Sequence, residues 1–531
     1  MEKKRFWRKG AVLLGGAALY ALLYAFGSQV DRTGATAAGA ALPRFALAFP
    51  LALAALYALF AHVLPRLAFA RAAQEKPFCV PFAWALLFCS FVPVFLIHYP
   101  GSFQYDCSDE VAQIAFGAYS QMHPMLHTLF VRLCISFYGV FQSMEKVAAL
   151  CSAAQMALLA LCFALVCASL SRSVSRKAAR AALAFFMLYP AHWAFASNCT
   201  KDVLFAGCLA LFFALCMEDA ALGGLTRARR VGQIACGALS VLLRNNIVFA
   251  MALLAAALIW RRGFARRTAL CTLAAVLLAQ GAGSVMAWAL DAQPGRMTEG
   301  LSLPIQQLAA ARIQAADRLT AEDATQIDAF LMGDPDADTP EAHYAQYDPT
   351  LADPIKNRAD HKPIEADLPG FFALWARVGA MCPREYADAF LNLALPSLYP
   401  YSAYRLSARY IEVGCNQALT AHYALEPIVQ PRRFAPLREW LDTTFYLTGA
   451  DDHPVLRWLF NTGFIYWVML LFALYEVYCG RRARAAAMLL PVFFWVTYLL
   501  GPIMQGRYLY PFICMLPVMV LRPRTSDVQG Q

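Results

Sequence analysis

This chain is short of charge. Asp, Glu, Lys and Arg make up 15% of its 531 residues, where a soluble domain carries about 25%. Hydrophobic residues make up 60%, and mean hydropathy is +0.48. The shortage excludes a soluble globular fold. With repeated apolar runs of about 20 residues, it implies an all-α polytopic membrane protein. The chain also lacks any RNA- or DNA-binding motif. Its net charge of +10 gathers at the ends of apolar runs, so the charge reports topology and no nucleic-acid partner is expected. Among 16 cysteines there is no C-x-x-C pair. Most lie inside apolar runs (Cys151, Cys162, Cys167, Cys208, Cys216) and read as small buried hydrophobes, with neither a disulfide framework nor a structural zinc site expected. No small-residue cleavage site follows the run Ala11–Ser28, which is therefore read as a retained first helix. There is no internal repeat.

What is present is about twelve apolar runs long enough for full or partial spans. They are Ala11–Ser28, Phe45–Leu64, Phe78–Ile97, Val147–Leu170, Ala181–Ser197, Val203–Glu218, Val231–Leu243, Ile247–Trp260, Thr268–Leu290, Val455–Tyr478, Ala485–Gly501 and Tyr508–Leu521. Alternate connections are basic. They carry Lys3, Lys4, Arg5, Arg8 and Lys9; Arg66, Arg71 and Lys76; Arg172, Arg176, Lys177 and Arg180; Arg227, Arg229 and Arg230; Arg261, Arg262, Arg266 and Arg267; Arg481, Arg482 and Arg484; and Arg522 and Arg524. The short turns between them hold only isolated bases, such as Arg32, Lys201, Arg244 and Arg507. By the positive-inside rule both termini face the cytoplasm of a bacterial plasma membrane. The loop after the third run, the 198–202 turn, the Arg244 turn, the 291–454 region and the Arg507 turn then share the outer side.

Three parts follow: a bundle over 1–290 with an outer loop at 98–146, an extracytoplasmic region over 291–454, and closing helices over 455–531. About two thirds of the chain's acids lie in the middle part. There, AEDATQIDAFLMGDPDADTPEAHYAQYDP reads as a helix followed by Asp/Pro turns. The stretch 371–396 reads as membrane-surface or re-entrant helix broken at Pro383 and Pro396, with Trp375, Tyr386 and Tyr399 at headgroup level.

The polar stretch His98–Arg132 is the expected seat of chemistry. Asp106, Asp109 and Glu110 are costly in hydrocarbon. Asp106, set just above the third run by Tyr99-Pro100-Gly101, is the candidate base or metal-linked acid. Ser108-Asp109-Glu110 reads as a helix start. His123 and His127 flank Pro124 at i, i+4 and can share one face, where they would hold a phosphate or a metal. Lys201 is the sole base on its turn and suits an anion, with Asp202 beside it. Arg244 and Arg507 each need an anionic partner at membrane depth, and a lipid-linked phosphate would serve. Asn198-Cys199-Thr200 matches a glycosylation sequon. A divalent metal is the one cofactor these acids admit.

The ordered motifs YPGSFQYD, HPMLHT, NCTKDVLF, LLRNN, SLPIQQLA, YDPTLADPIK and GRYLYP resemble an uncharacterised family of bacterial polytopic proteins, the DUF6020 type. That family is similar to the GT-C superfamily of membrane glycosyltransferases. The resemblance implies a GT-C-like bundle that moves a sugar from a polyprenyl-phosphate carrier to an extracytoplasmic glycan, lipid or protein acceptor. It implies Asp106 as base or metal-linked acid, and Lys201, Arg244 and Arg507 as carrier-phosphate ligands. The acidic pair common among GT-C enzymes is interrupted here by Cys107 and Ser108. Other readings are a lipid-linked glycan polymerase or ligase, a transporter or flippase of lipid-linked sugars, and a non-catalytic scaffold.

Overall fold

The computed structural model describes residues 2–70, 78–103, 105–332, 339–359, 361–402, 430–446, 453–503 and 506–524. Arg71, Lys76 and the Asp/Pro turn at 333–338 lie outside these. Among the described residues the fold is almost entirely helical, with one two-stranded parallel sheet.

The bundle is built around the helix Lys201–Leu222. Thr200 caps its start by accepting from the Asp202 N–H, and Gly223, at φ 72°, ends it in the left-handed region. Its sequence is apolar on every face, which suits a helix with no lipid or water side, and 94% of its most apolar stretch is buried. Met144–Ser173, Arg227–Leu243 and Gly506–Val520 pack around it. At the close approach of Gly237, a Cβ would lie 2.8 Å from that of Ala275 and 3.0 Å from the Phe212 ring.

Among the described residues seven helices are long and apolar enough to cross a membrane: Lys3–Thr33, Ala38–Val63, Val80–Ile97, Met144–Ser173, Lys201–Leu222, Phe264–Ala289 and Thr462–Cys479. The remaining apolar runs are shorter or broken. Ala181–Ser197 divides into Arg176–Leu188 and Pro190–Ser197, because a residue before proline is driven from the helical to the extended region, as Tyr189 is at ψ 120°. Ala485–Gly501 divides into Arg482–Ala487 and Leu489–Leu499. Arg227–Leu243 and Ile247–Leu258 are short helices that meet at Arg244, as the sequence predicts.

The region after Ala289 carries a core of its own, formed by Ile305, Leu308, Ile327, Ile355, Phe371 and Val378 among others. The helix Leu368–Met381 buries Phe371, Leu374 and Val378 in it. One side of the helix is thus covered by protein, while Phe372, Ala373, Ala376 and Ala380 on its other side are exposed. Trp375 donates to Gln307 at 2.9 Å, Tyr386 donates to the Trp375 carbonyl at 2.9 Å, and Tyr386 and Tyr399 are buried. The next helix, Pro383–Leu398, begins at Pro383 but runs through Pro396. It packs on Glu2–Thr33, Ser302–Gln314 and Thr462–Cys479.

Buried acids at the basic connections tie helices together. Glu218 accepts from Arg172 at 2.7 and 2.8 Å and from Arg229. Asp219 meets Arg230 at 3.2 Å and Arg267 at 3.5 Å. Glu476 meets Arg484 at 3.1 Å and Arg481 at 3.5 Å. Removing one member of such a pair leaves the other charge uncompensated, at a cost of about 3–5 kcal/mol. Glu218→Gln is therefore expected to lower the thermal midpoint in detergent by several degrees. Glu322→Gln, at an exposed position, is expected to leave it unchanged.

Candidate functional site

The site begins where the helix Val80–Ile97 ends. The chain turns through the cis peptide Tyr99–Pro100 to Gly101, at φ +97°. A Cβ on Gly101 would lie 2.0 Å from Ser152 Oγ and 2.9 Å from the Ser197 carbonyl oxygen, so this turn requires glycine on both conformational and steric grounds. The strand Ser102–Phe103 then pairs in parallel with Asn198–Cys199, Ser102 opposite Asn198 and Phe103 opposite Cys199. Gln155, inside the otherwise apolar Met144–Ser173 helix, holds that second strand. Its amide donates to the Asn198 carbonyl at 2.8 Å and the Ala196 carbonyl at 3.2 Å, and its oxygen accepts from the Thr200 N–H at 3.2 Å. Two segments far apart in sequence are thereby locked in register, and Asp106 comes to lie against Lys201.

Asp106 Oδ2 is 2.9 Å from Lys201 Nζ and 2.8 Å from Arg507 Nη1. Lys201 also donates to His123 Nδ1 at 3.0 Å. That makes Nδ1 an acceptor and leaves Nε2–H to face Asp109 at 3.3 Å. Arg507 Nε lies 4.0 Å from Asp202 Oδ2, and the other Asp202 oxygen accepts from Arg244. Arg244 donates to Asn246 Oδ1 at 3.0 Å, and its guanidinium lies 4.6 Å from the Tyr508 ring centroid and 5.3 Å from that of Tyr498. The result is one chain of contacts: Asp109, His123, Lys201, Asp106, Arg507, Asp202, Arg244.

Burial alone would raise the Asp106 carboxyl. The Lys201 and Arg507 charges outweigh it and hold the group well below the usual carboxylate range. In this arrangement Asp106 is ionised and a weak base, because a proton must compete with two cations. Three acids (Asp106, Asp109, Asp202) balance three bases (Lys201, Arg244, Arg507). The cluster therefore carries no excess of positive charge.

Five of the residues expected from sequence, Asp106, Lys201, Asp202, Arg244 and Arg507, join this chain together with His123. His127 does not. It is wholly buried and its Nδ1 lies 2.5 Å from Glu110 Oε2. His123 and His127 thus face different partners, which corrects the expectation of a shared face. The helix holding the acids starts at Tyr105, three residues before the expected start, so Asp106 sits in its first turn and Asp109 and Glu110 lie inside it. Arg244 finds its anion within the protein, in Asp202. Asn198 is buried in the strand pair, which removes it from glycosylation. Gln155 was not singled out from sequence, though a lone amide in an apolar span signals a structural or functional role.

A cavity of about 330 Å³ borders the cluster at His123 and Asn245. Pro124, Val248, Phe249, Gln280 and Ser284 also line it. It lies between the Ile247–Leu258 and Phe264–Ala289 helices, and Phe249, Leu277 and Leu278 on these helices are exposed.

The model of the Family of unknown function (DUF6020) matches residues 117–529, most of the chain, and the protein belongs to that family. No curated protein and no solved structure matches it.

The turn geometry is directly testable. Gly101→Ala is expected to cost about 2–3 kcal/mol through overpacking and a strained φ, read as a lower unfolding midpoint. Adding Ser152→Gly removes the nearest clash and should restore part of the loss.

Proposed function

We propose that this protein is a GT-C-like membrane glycosyltransferase that uses polyprenyl-phosphate sugars and works on the extracytoplasmic side, with both termini in the cytoplasm and about twelve full or partial spans. The observation that carries the reading is convergence. Asp106, Lys201 and Asp202, Arg244, and Arg507 come from four separated turns, all assigned to one side by the alternation of basic connections, and they meet in one ion cluster beside a cavity between helices. A transporter would place such groups at mid-membrane on broken helices related by internal symmetry.

In the proposed reaction the donor enters sideways through the cavity, with its prenyl chain against Val248 and Phe249. Its phosphate takes Lys201 and Arg507 from Asp106. This exchange both neutralises the donor and releases the carboxylate, which recovers basicity as its cations are engaged elsewhere. Asp106 accepts the proton of the acceptor hydroxyl. The acceptor oxygen bonds to the anomeric carbon as the bond from that carbon to the phosphate oxygen breaks, with inversion. Lys201 and Arg507 stabilise the leaving phosphate. Asp202 keeps Arg244 in place behind them. Asp106 acts here as base; its oxygen is already shared by two cations, which disfavours it as a metal ligand.

The test is a transfer assay on purified protein with polyprenyl-phosphate sugars. Asp106→Asn is expected to lose transfer by about 10²–10⁴-fold while retaining expression. Undiminished transfer by the variant, or none by the wild type from any donor, overturns the reading. The entry route has its own test at Gly283, whose Cβ position meets only Leu242, at 3.8 Å. Gly283→Trp should fill the cavity and raise KM for the lipid donor about tenfold, roughly 1.4 kcal/mol of binding, with little change in kcat.

A further inference from the structure

Directly behind Asp106 lies a second cluster that the proposed reaction does not use. Cys107 and Glu110 are i, i+3 on the Tyr105–Phe116 helix and so share a face. His127 comes from the Met125–Ile135 helix that packs against it. One ligand atom from each of Cys107, Glu110 and His127 lies within 4.8 Å of the others, and all three residues are buried. The Cys199 sulfur, from the paired strand, is 3.9 Å from that of Cys107.

Three features argue against reading this as ordinary packing. Glu110 is fully buried, yet its charged partner among the described residues is His127 alone. Glu110 Oε1 and His127 Nε2 have no hydrogen-bond partner among the described residues, and a buried polar atom so left costs about 1–3 kcal/mol. The sulfur spacing also suits an ion, although the Cys199 thiol meets that of Cys151 as well. Two thiolates at about 2.3 Å from a tetrahedral zinc stand about 3.8 Å apart, close to the separation seen here.

We propose that Cys107, Glu110 and His127 bind a thiophilic divalent cation, zinc by ligand type, with the Cys199 thiol, next to Cys107 but outside that close group, drawn in as fourth ligand. Two sulfurs, an imidazole and a carboxylate suit zinc over magnesium or calcium, which take oxygen ligands. The closed, buried set is that of a structural ion. Each ligand is a near neighbour of a member of the ion cluster. Cys107 follows Asp106, Cys199 lies two residues before Lys201, and His127 lies four after His123. The ion pins these three segments together and so positions Asp106 against Lys201. Binding displaces the thiol protons into solvent and leaves the cysteines as thiolate ligands, with no change of oxidation state.

The experiment reads metal, not transfer, so its outcome is independent of the proposed reaction. Full-length protein is purified in detergent without chelator, supplied with zinc, desalted and analysed for metal. The expected content is about one zinc per chain, falling at least tenfold in Cys107→Ser and in His127→Ala and unchanged in Cys167→Ser, which lies elsewhere in the bundle. Should the variants fail to fold, cobalt substitution of the wild type decides. Tetrahedral ligand-field bands with sulfur-to-cobalt charge transfer support the site; a spectrum of hydrated cobalt overturns it. Absence of zinc after supply, retention of zinc by both variants, or a Cys107–Cys199 disulfide found by alkylation and mass spectrometry each overturn it as well.

Discussion

A charge removed from water must meet an opposite charge, and the placement of such pairs governs this fold. The buried helix Lys201–Leu222 has Asp202 at one end and Glu218 and Asp219 at the other, about 25 Å apart along its axis. All three carboxylates are fully buried, because other helices surround them. Arginines from other elements therefore come to them: Arg244 and Arg507 at the first end, Arg172, Arg229, Arg230 and Arg267 at the second. Hydrophobic packing holds the helices side by side, but in a membrane it is nearly indifferent to how far each slides along its axis. The ion pairs fix that register.

The same requirement shapes the first end into a site. Asp106 is brought there by a short strand pair, a glycine with no room for a side chain, and a glutamine that satisfies the backbone around it. Asp106 then acts as an internal anion for Lys201 and Arg507. In the proposed reaction this cluster is an anion-binding site already filled by its own carboxylate, so that donor entry is coupled to release of Asp106. The cost is that the ligand must be a better partner for the cations than Asp106 is. The lipid phosphate of the proposed donor would meet that condition with two or more oxygens facing Lys and Arg.

Much of this was legible in the sequence, for a physical reason. In a chain with so little charge, each isolated ionisable residue at the end of an apolar run stands out, and Asp106, Lys201, Asp202, Arg244 and Arg507 were all found that way. The helix Lys201–Leu222 showed as the apolar run Val203–Glu218. What could not be read was who pairs with whom. Arg244 presents the same demand for an anion whether a ligand or Asp202 supplies it. His123 and His127 have the spacing for one face, yet the turn at Pro124 sends them to different partners. Cys107 and Cys199 are 92 residues apart with no motif spacing between them, and only the strand pairing brings their sulfurs together. The Leu368–Met381 helix has the composition of a membrane-surface segment, and its amphipathic pattern does not distinguish a bilayer from the core of a neighbouring fold.

The account stands most directly on the exchange at Asp106. The measurement that tests it is an electron-microscopy structure of the protein with polyprenyl phosphate bound, at a resolution that separates side chains. The account predicts the phosphate between Lys201 Nζ and the Arg507 guanidinium, with Asp106 released from both and Asp202 still paired to Arg244. A phosphate seated elsewhere, with the Lys201–Asp106–Arg507 contacts intact, would contradict it.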